Sequence, residues 1–464
     1  MQSAVATDKD IGDIRSPIDI DKLCKFLSGC SNLSSNPKIH LGPLSSLSIS
    51  LPVKINQFKY GQSNPTYYIQ DANHNKYILR RKPSANSKLL SRKAHNIERE
   101  FWIAYDIANL NITENFSIPV AMPLVLVEDE QCLGMVFYIS EFVEGFIFHD
   151  PSMPTLTNFE RDKCWESVVQ VASQIHQVPV SGLVHCFPQR GKAPKGNLNY
   201  FQRQIKSLAA IHKFQSSQSN TPPIYGFGKL CDLLSHNCPP DPQLPVLIHG
   251  DFKIDNFIFD LQTYRIIAVL DWELCTIGNP IFDLANALQN YYFPRAFNSH
   301  FLGIDLSPDP KFVNLVLQKY YQIVCNLWPS NSITKDDGNL FLWITQPRMT
   351  TNEELNHINN GSSSFNTYKD IIGSFYDSPL ESSSVLFKYW ISAKAFSCFR
   401  LSVIIQGIHA RVINGTNSSG FAEKFSGSYG AYSKLGLSLM DAGIDEGCLG
   451  TGTEKEKIDF NPKL

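Results

Sequence analysis

No two cysteines in this chain are spaced Cys-x-x-Cys, and none of its 11 cysteines belongs to a zinc-like Cys/His array. An odd, scattered set of this kind fits reduced thiols in an intracellular protein better than a disulfide framework. Neither sign of charge dominates, since 41 Lys and Arg face 43 Asp and Glu for a formal net charge of −2. That balance gives no bulk attraction to nucleic acid or to an anionic membrane, so neither partner is expected. No uninterrupted apolar run reaches bilayer length, so no membrane span is expected either. The opening MQSAVATDKDIGDIRSPIDID is acidic, without the apolar core of a signal peptide or the Arg-rich character of a transit peptide. A cytoplasmic location is the expectation. Pro462-Lys463-Leu464 only loosely matches the Ser-Lys-Leu peroxisomal address, which is the alternative. Internal repeats are missing as well.

What the chain does have is apolar residues: 43% of 464 positions are hydrophobic and 12% aromatic, enough for a large core in one bilobal domain or two to three smaller ones. From Leu47 to Leu79 short strands alternate with turns, and TYYIQDANHNKYILR reads as a hairpin. The pattern then switches to helical period. Ala94, Ile97, Phe101, Ala104 and Ala108 form one apolar stripe, with Ser91 as a candidate N-cap. Strands return in MPLVLVEDEQCLGMVFYISEFV. Beyond Gly145 the chain turns helical except for a β patch from Pro245 to Glu273. QSSQSNTPP near Ser216 and INNGSSSFNT near Gly361 read as surface insertions. FKYWISAKAFSCFRLSVIIQGIHARVI reads as a buried helix or helix pair. The expected organisation is an N-terminal extension (1–45), a β-rich lobe with one helix (46–143), a helical lobe with an embedded hairpin (144–445) and a tail (446–464). The fold class is α+β.

The β patch holds the chemistry. LIHGDFKIDNFIFD places His249, Asp251, Lys253 and Asn256 between two apolar runs, and YRIIAVLDWELC ends a second buried strand on Asp271. A carboxylate at the mouth of a buried strand is costly to desolvate unless something binds it. Folding the hairpin at DLQTY would return Asp271 to Asp251 and Asn256. Two carboxylates and an amide suit a hard divalent cation, with Mg²⁺ the natural candidate.

His-x-Asp-x-x-x-x-Asn followed by a strand-borne Asp resembles the protein-kinase-like layout of HRDxxxxN and DFG. With Gly250 in the motif and Asp-Trp-Glu in place of Asp-Phe-Gly, the chain is similar to the aminoglycoside phosphotransferase and choline kinase family. HGDFKIDN, VLDWELCTIGNP, GQSNPTYY and FRLSVIIQGIHAR resemble above all the branch fused to acyl-CoA dehydrogenases. The resemblance runs from about Ile55 to Ala422, and no dehydrogenase region follows it. It implies a bilobal kinase-like fold and an ATP- and Mg²⁺-dependent phosphotransferase acting on a small-molecule hydroxyl, with a hydroxy acid or its CoA thioester as the acceptor it suggests.

Carried over by position, Asp251 is the catalytic carboxylate that orients the acceptor hydroxyl, and Asn256 and Asp271 hold the metal. His249 is structural, and Asp283 braces the loop from a helix with Asn279 as N-cap and Pro280 at N1. Lys253 is either a contact for the transferred phosphate or a substrate anion, or a solvated loop lysine. Gly61 and Ser63 lie in the nucleotide-covering turn, which has one glycine where protein kinases have three. Arg80 takes the place of the phosphate-binding strand lysine, with Arg81 and Lys82 as fallbacks. Its partner is Glu100, or else Glu98. The backbone of Glu141 and Val143 is expected to meet adenine. Arg203, Arg400 and Arg411 are candidates for an anionic acceptor. The alternative function is a nucleotide-binding pseudokinase scaffold, supported only by arginine at position 80. A protein kinase is disfavoured because no Ala-Pro-Glu-like segment follows Asp-Trp-Glu.

Overall fold

The structure, a computed structural model, describes residues 11–29, 36–44, 47–58, 64–83, 96–114, 116–187, 198–218, 221–242, 244–324, 385–414 and 426–445. Gly61, Ser63, Ser91, Ala94, the INNGSSSFNT stretch and Pro462-Lys463-Leu464 lie outside these residues. The chain forms two compact units, Met1–Lys192 with His249–Thr276, and Ala193–Ile248 with Ile277–Leu464.

The first unit is built on a seven-stranded sheet. In chain order come β1 (Ile11–Gly12), α1 (Ile20–Ser28), β2 (Ile39–Leu41), β3 (Lys54–Phe58), β4 (Thr66–Gln70), β5 (Lys76–Arg81), α2 (Ile97–Thr113), β6 (Pro123–Val127), α3 (Glu130–Leu133), β7 (Phe137–Glu141) and α4 (Asn158–His176). The strand order is β1-β3-β4-β5-β7-β6-β2, every pair antiparallel. The β4–β5 hairpin turns at Asp71, whose carboxylate accepts the N–H groups of Asn73 and Asn75, an Asx turn. Residues of the expected N-terminal extension supply both edge strands, which are two and three residues long and so keep the open ladder edges short.

Period-two alternation then splits the sheet's two faces. Tyr67, Ile69, Leu79, Val125, Phe137 and Ile139 pack with Leu23, Phe26 and Leu27 of α1. Leu126, Val136 and Tyr138 pack with Ile97 and Phe101 of α2. The N-cap of α2 is Asn96, whose side chain accepts the Arg99 N–H. The same logic starts α4, where Thr157 and Glu160 form a reciprocal capping box.

The chain next runs through α5 (Tyr200–Gln218), α6 (Phe227–His236) and β8 (Val246–Ile248) of the second unit. It returns to the first unit for β9 (Phe257–Phe259) and β10 (Ile266–Val269), and ends in the second with β11 (Thr276–Gly278), α7 (Ile281–Ala287), α8 (Gln289–Tyr292), α9 (Arg295–Phe297), α10 (Pro310–Val324), α11 (Val385–Ile413) and α12 (Tyr429–Asp445). Strand β8 pairs with β11, while β9 and β10 form their own antiparallel hairpin. Single bridges from Val120 to Val269 and from Phe146 to Phe259 fasten that hairpin to the rest of the first unit.

Three segments are defined more closely by the structure. Within QSSQSNTPP, residues 215–218 close α5 and the Pro222 carbonyl accepts Gln406 Nε2. The C-terminal apolar run is one helix, α11. Among the described residues its Tyr389–Ile413 part is long and apolar enough to cross a bilayer, although 78% of the apolar window is buried inside the protein. It keeps Lys394 and Arg400 by laying them over the rings of Tyr292 and Phe282. Finally, α7 starts one residue later than expected, with Asn279 Oδ1 still accepting the Ile281 N–H.

Candidate active site

Residues 249–256 form a loop between β8 and β9, closed by a 3-10 turn over Ile254–Asn256. Gly250 is at φ +81°, and a Cβ there would stand 2.4 Å from the Leu274 carbonyl oxygen, so the backbone can pass only as glycine. His249 is fully buried. Its Nδ1 accepts the Asp251 N–H at 3.2 Å and its Nε2 lies 2.9 Å from the Leu270 carbonyl, which fixes the neutral Nε2–H tautomer. The imidazole therefore ties the loop to the end of β10.

Asn256 Nδ2 donates to the Asp251 backbone oxygen at 2.8 Å and to Asp251 Oδ2 at 3.2 Å. Its amide oxygen is thereby turned away from Asp251. Lys253 Nζ lies 3.5 Å from Asp251 Oδ2 and 3.2 Å from Asp255 Oδ2. Its pKa is raised, chiefly by the Asp251 charge, so the ammonium is a permanent cation at this loop.

Asp271 caps a short 3-10 turn, Trp272–Leu274, in a left-handed conformation of φ 65° and ψ 60°. That region is strained for a residue with a Cβ, and such strain clusters where geometry serves a function. The buried indole of Trp272 holds the turn by donating to the Val269 carbonyl at 2.9 Å.

Above the turn, β5 presents Arg80 on the α2 face of the sheet. Arg80 Nε is 3.2 Å from Glu100 Oε2, and its Nη2 is 2.9 Å from Asp271 Oδ1 and 3.8 Å from Glu273 Oε2. Burial opposes the Arg80 charge, but Glu100 and Asp271 outweigh it and raise the guanidinium pKa. The fallbacks sit elsewhere: Lys82 pairs with Glu98. Arg81 points to the opposite face, where it is buried against Tyr67 Oη, the Pro17 carbonyl and the Lys82 carbonyl. The structure thus brings together Arg80, Glu100, His249, Asp251, Lys253, Asn256 and Asp271 within one unit.

The donor set fits Mg²⁺. Asp271 and Asn256 offer a hard carboxylate and a hard amide oxygen, and Asp271 keeps a side-chain exposure of 30%. Among the described residues no group of three or more His, Cys, Asp or Glu forms a metal cage. Mg²⁺ takes one or two protein oxygens and fills its octahedron with water and phosphate.

The sequence pattern of the phosphotransferase enzyme family matches residues 54–306, more than half of the chain. The chain belongs to this family. Acyl-CoA dehydrogenase family member 11 of Mus musculus is 35% identical over 241 residues, which are 52% of this chain and 28% of that protein. Acyl-CoA dehydrogenase family member 10 of Mus musculus is 36% identical over 247 residues, 53% of this chain and 21% of that protein. The chain thus spans about a quarter of the length of the curated relatives it matches. A crystal structure from Ralstonia eutropha, provisionally described as an aminoglycoside phosphotransferase, shares the fold at a TM-score of 0.58 and 26% identity, covering 92% of this chain and 99% of that one. The α+β kinase-like fold is therefore the one this family shares with that crystal structure.

In this phosphotransferase the remaining candidate residues are placed as follows. The Glu141 N–H donates to the Met122 carbonyl at 3.0 Å, so this N–H is already engaged. Val143 follows just beyond β7. Asp283, fully buried on α7, lies in the second unit. Arg203 of the same unit donates to the Leu198 carbonyl and faces Asp241 at 3.8 Å, a helix-end role. Arg400 is buried over Phe282, and burial lowers the Arg411 pKa. Sequence reasoning missed Glu273. Its signal was present: a carboxylate stands where the protein-kinase motif has glycine.

Proposed function

We propose that this phosphotransferase draws its phosphoryl group from ATP with Mg²⁺ and delivers it to the hydroxyl of a small hydroxy-acyl compound. The observation that carries the reading is the convergence, within one unit, of the Asp251–Asn256 loop with Asp271 and Arg80. Asn256 and Asp271 are the residues that would hold the cation, which when bound neutralises phosphate charge. Asp251 is the carboxylate assigned to the acceptor side of the reaction. Its contribution is to orient the acceptor hydroxyl, in keeping with a reaction that depends on geometry and charge. Lys253, held against Asp251, supplies a fixed positive charge beside that hydroxyl. Arg80 keeps the charge of the usual lysine and adds a fork. The hydroxy-acyl class is supported by the relatives' names as acyl-CoA dehydrogenases. A pseudokinase scaffold is not favoured, because Arg80 holds the contacts expected of a phosphate-side cation.

The test is to incubate purified protein with ATP, Mg²⁺ and a panel of hydroxy acids and their CoA thioesters, reading phosphorylated product by mass spectrometry. Asp251→Ala should lower turnover by ~10²–10⁴ while nucleotide binding persists. Product from other alcohols alone would reject the acyl acceptor, and undiminished turnover in the variant would remove Asp251 from the reaction.

A further inference from the structure

Arg80 is one guanidinium shared by three carboxylates. Glu100 takes its Nε, while Asp271 and Glu273 both draw on its Nη2, at 2.9 and 3.8 Å. With all three ionised the cluster carries two formal negative charges in excess. Glu273 is also the least exposed of the two turn carboxylates, 14% against 30% for Asp271. Its place is fixed because the Trp272 indole is anchored to Val269 and the Cys275 N–H returns to the Trp272 carbonyl at 3.1 Å. A glycine at this position would leave Arg80 with Glu100 and Asp271 alone.

A divalent cation on Asp271 would share that carboxylate with Arg80 and repel the guanidinium, since like charges a few ångströms apart in a half-buried site interact strongly. Arg80 then needs a second acceptor on the same nitrogen. Accepting the reading of Asp271 as a cation ligand, we infer that Glu273 is a positioning residue that keeps the Arg80 fork in place when the cation engages Asp271. Arginine suits this arrangement and lysine does not. Only a planar fork offers Nε to one carboxylate while Nη2 serves others.

The test is nucleotide affinity by equilibrium dialysis, for ATP with Mg²⁺ and for ATP with chelator. Glu273→Gln should weaken the Mg²⁺-dependent affinity by about tenfold, the size of one lost charge-assisted contact, and change the chelated affinity by less than about twofold. Glu273→Asp, which keeps the charge on a shorter arm, should fall between Glu273→Gln and wild type. In an Arg80→Lys background the Glu273→Gln loss should largely vanish, because the two residues act as a pair. Equal loss in both conditions, no loss in either, or full loss on top of Arg80→Lys would overturn the inference. The last result would make Glu273 a direct partner of the cation. A wild-type protein indifferent to Mg²⁺ in this assay, and in thermal stability with Mg²⁺ alone, would reject the Asp271 reading as well. A normal wild-type response with an unaltered Glu273→Gln variant would reject only the role of Glu273.

Discussion

A carboxylate buried beside one guanidinium and near two further carboxylates has conflicting neighbours, and Glu100 is where the conflict appears. Burial is the largest influence and raises its pKa; Arg80 pulls it down and Asp271 pushes it up again, leaving it near 7. The folded protein therefore binds a proton at Glu100 through a window in which the unfolded chain has released it. Stability should fall as pH rises from the ordinary carboxylate range toward about 7. Glu100→Gln cannot titrate, so its stability relative to wild type should increase across that window. Urea unfolding of both proteins at about pH 5 and about pH 8 checks the sign. A constant difference between them would mean that Glu100 stays ionised throughout. The same residue shows how far side-chain roles can be read from order alone. The resemblance to the kinase strand motif singled out Arg80 over Arg81; in the structure successive side chains point to opposite faces, and Arg80 is the one that meets Asp271. Helical spacing could not choose between Glu98 and Glu100, which lie two residues apart near the start of one helix. Only the observed pairs, Lys82 with Glu98 and Arg80 with Glu100, decide it.

At the scale of elements, the N-terminal residues act as a strap across the seven-stranded sheet. Strand β1 pairs with β3, α1 covers one face, and β2 closes the far edge. The strap is fastened at Tyr67, whose hydroxyl donates to the Ser16 carbonyl at 2.6 Å and accepts Arg81 Nε at 2.9 Å. Gln57 Oε1 secures the same segment by accepting the N–H groups of Arg15 and Ser16. Tyr67→Phe removes one acceptor from a buried guanidinium and the donor to Ser16, and should cost about 1–3 kcal/mol. The denaturation midpoint should drop accordingly; an unchanged midpoint would show that the strap is held without this bond. None of this was legible in the sequence, since strands of two and three residues have no period to detect. Helix α3 escaped for the same reason: four residues between an Asp129 cap and the left-handed Gly134 are too short for a stripe. By contrast, the hairpin of β9 and β10 was plain, because apolar runs bracket a dense polar loop. Asp271 follows just beyond its second strand, where its carboxylate meets Arg80.

At the scale of the whole molecule, chain order and compactness disagree. Each unit is assembled from two separate stretches of chain. The first unit is completed by residues that arrive after the chain has visited the second. Phe257, Phe259 and Val269 of the returning hairpin are buried, and Ile266 N–H reaches Ser167 Oγ at 2.8 Å on α4. Each buried side chain of this kind contributes about 1.5–3 kcal/mol, against a total stability of about 5–15 kcal/mol for a domain. A fragment ending at Lys192 lacks all of them, and it also lacks Asp271 as a partner for Arg80. It should show no cooperative thermal transition by circular dichroism, although its sheet residues are all present. Joining residues 249–276 to it through a long Gly/Ser linker should restore one, because the missing contacts are then intramolecular again. A fragment that melts cooperatively without the hairpin would mean that the sheet and its helices suffice. The hairpin would then serve the site alone, and Asp251, Asn256 and Asp271 would have been added to a lobe already stable without them.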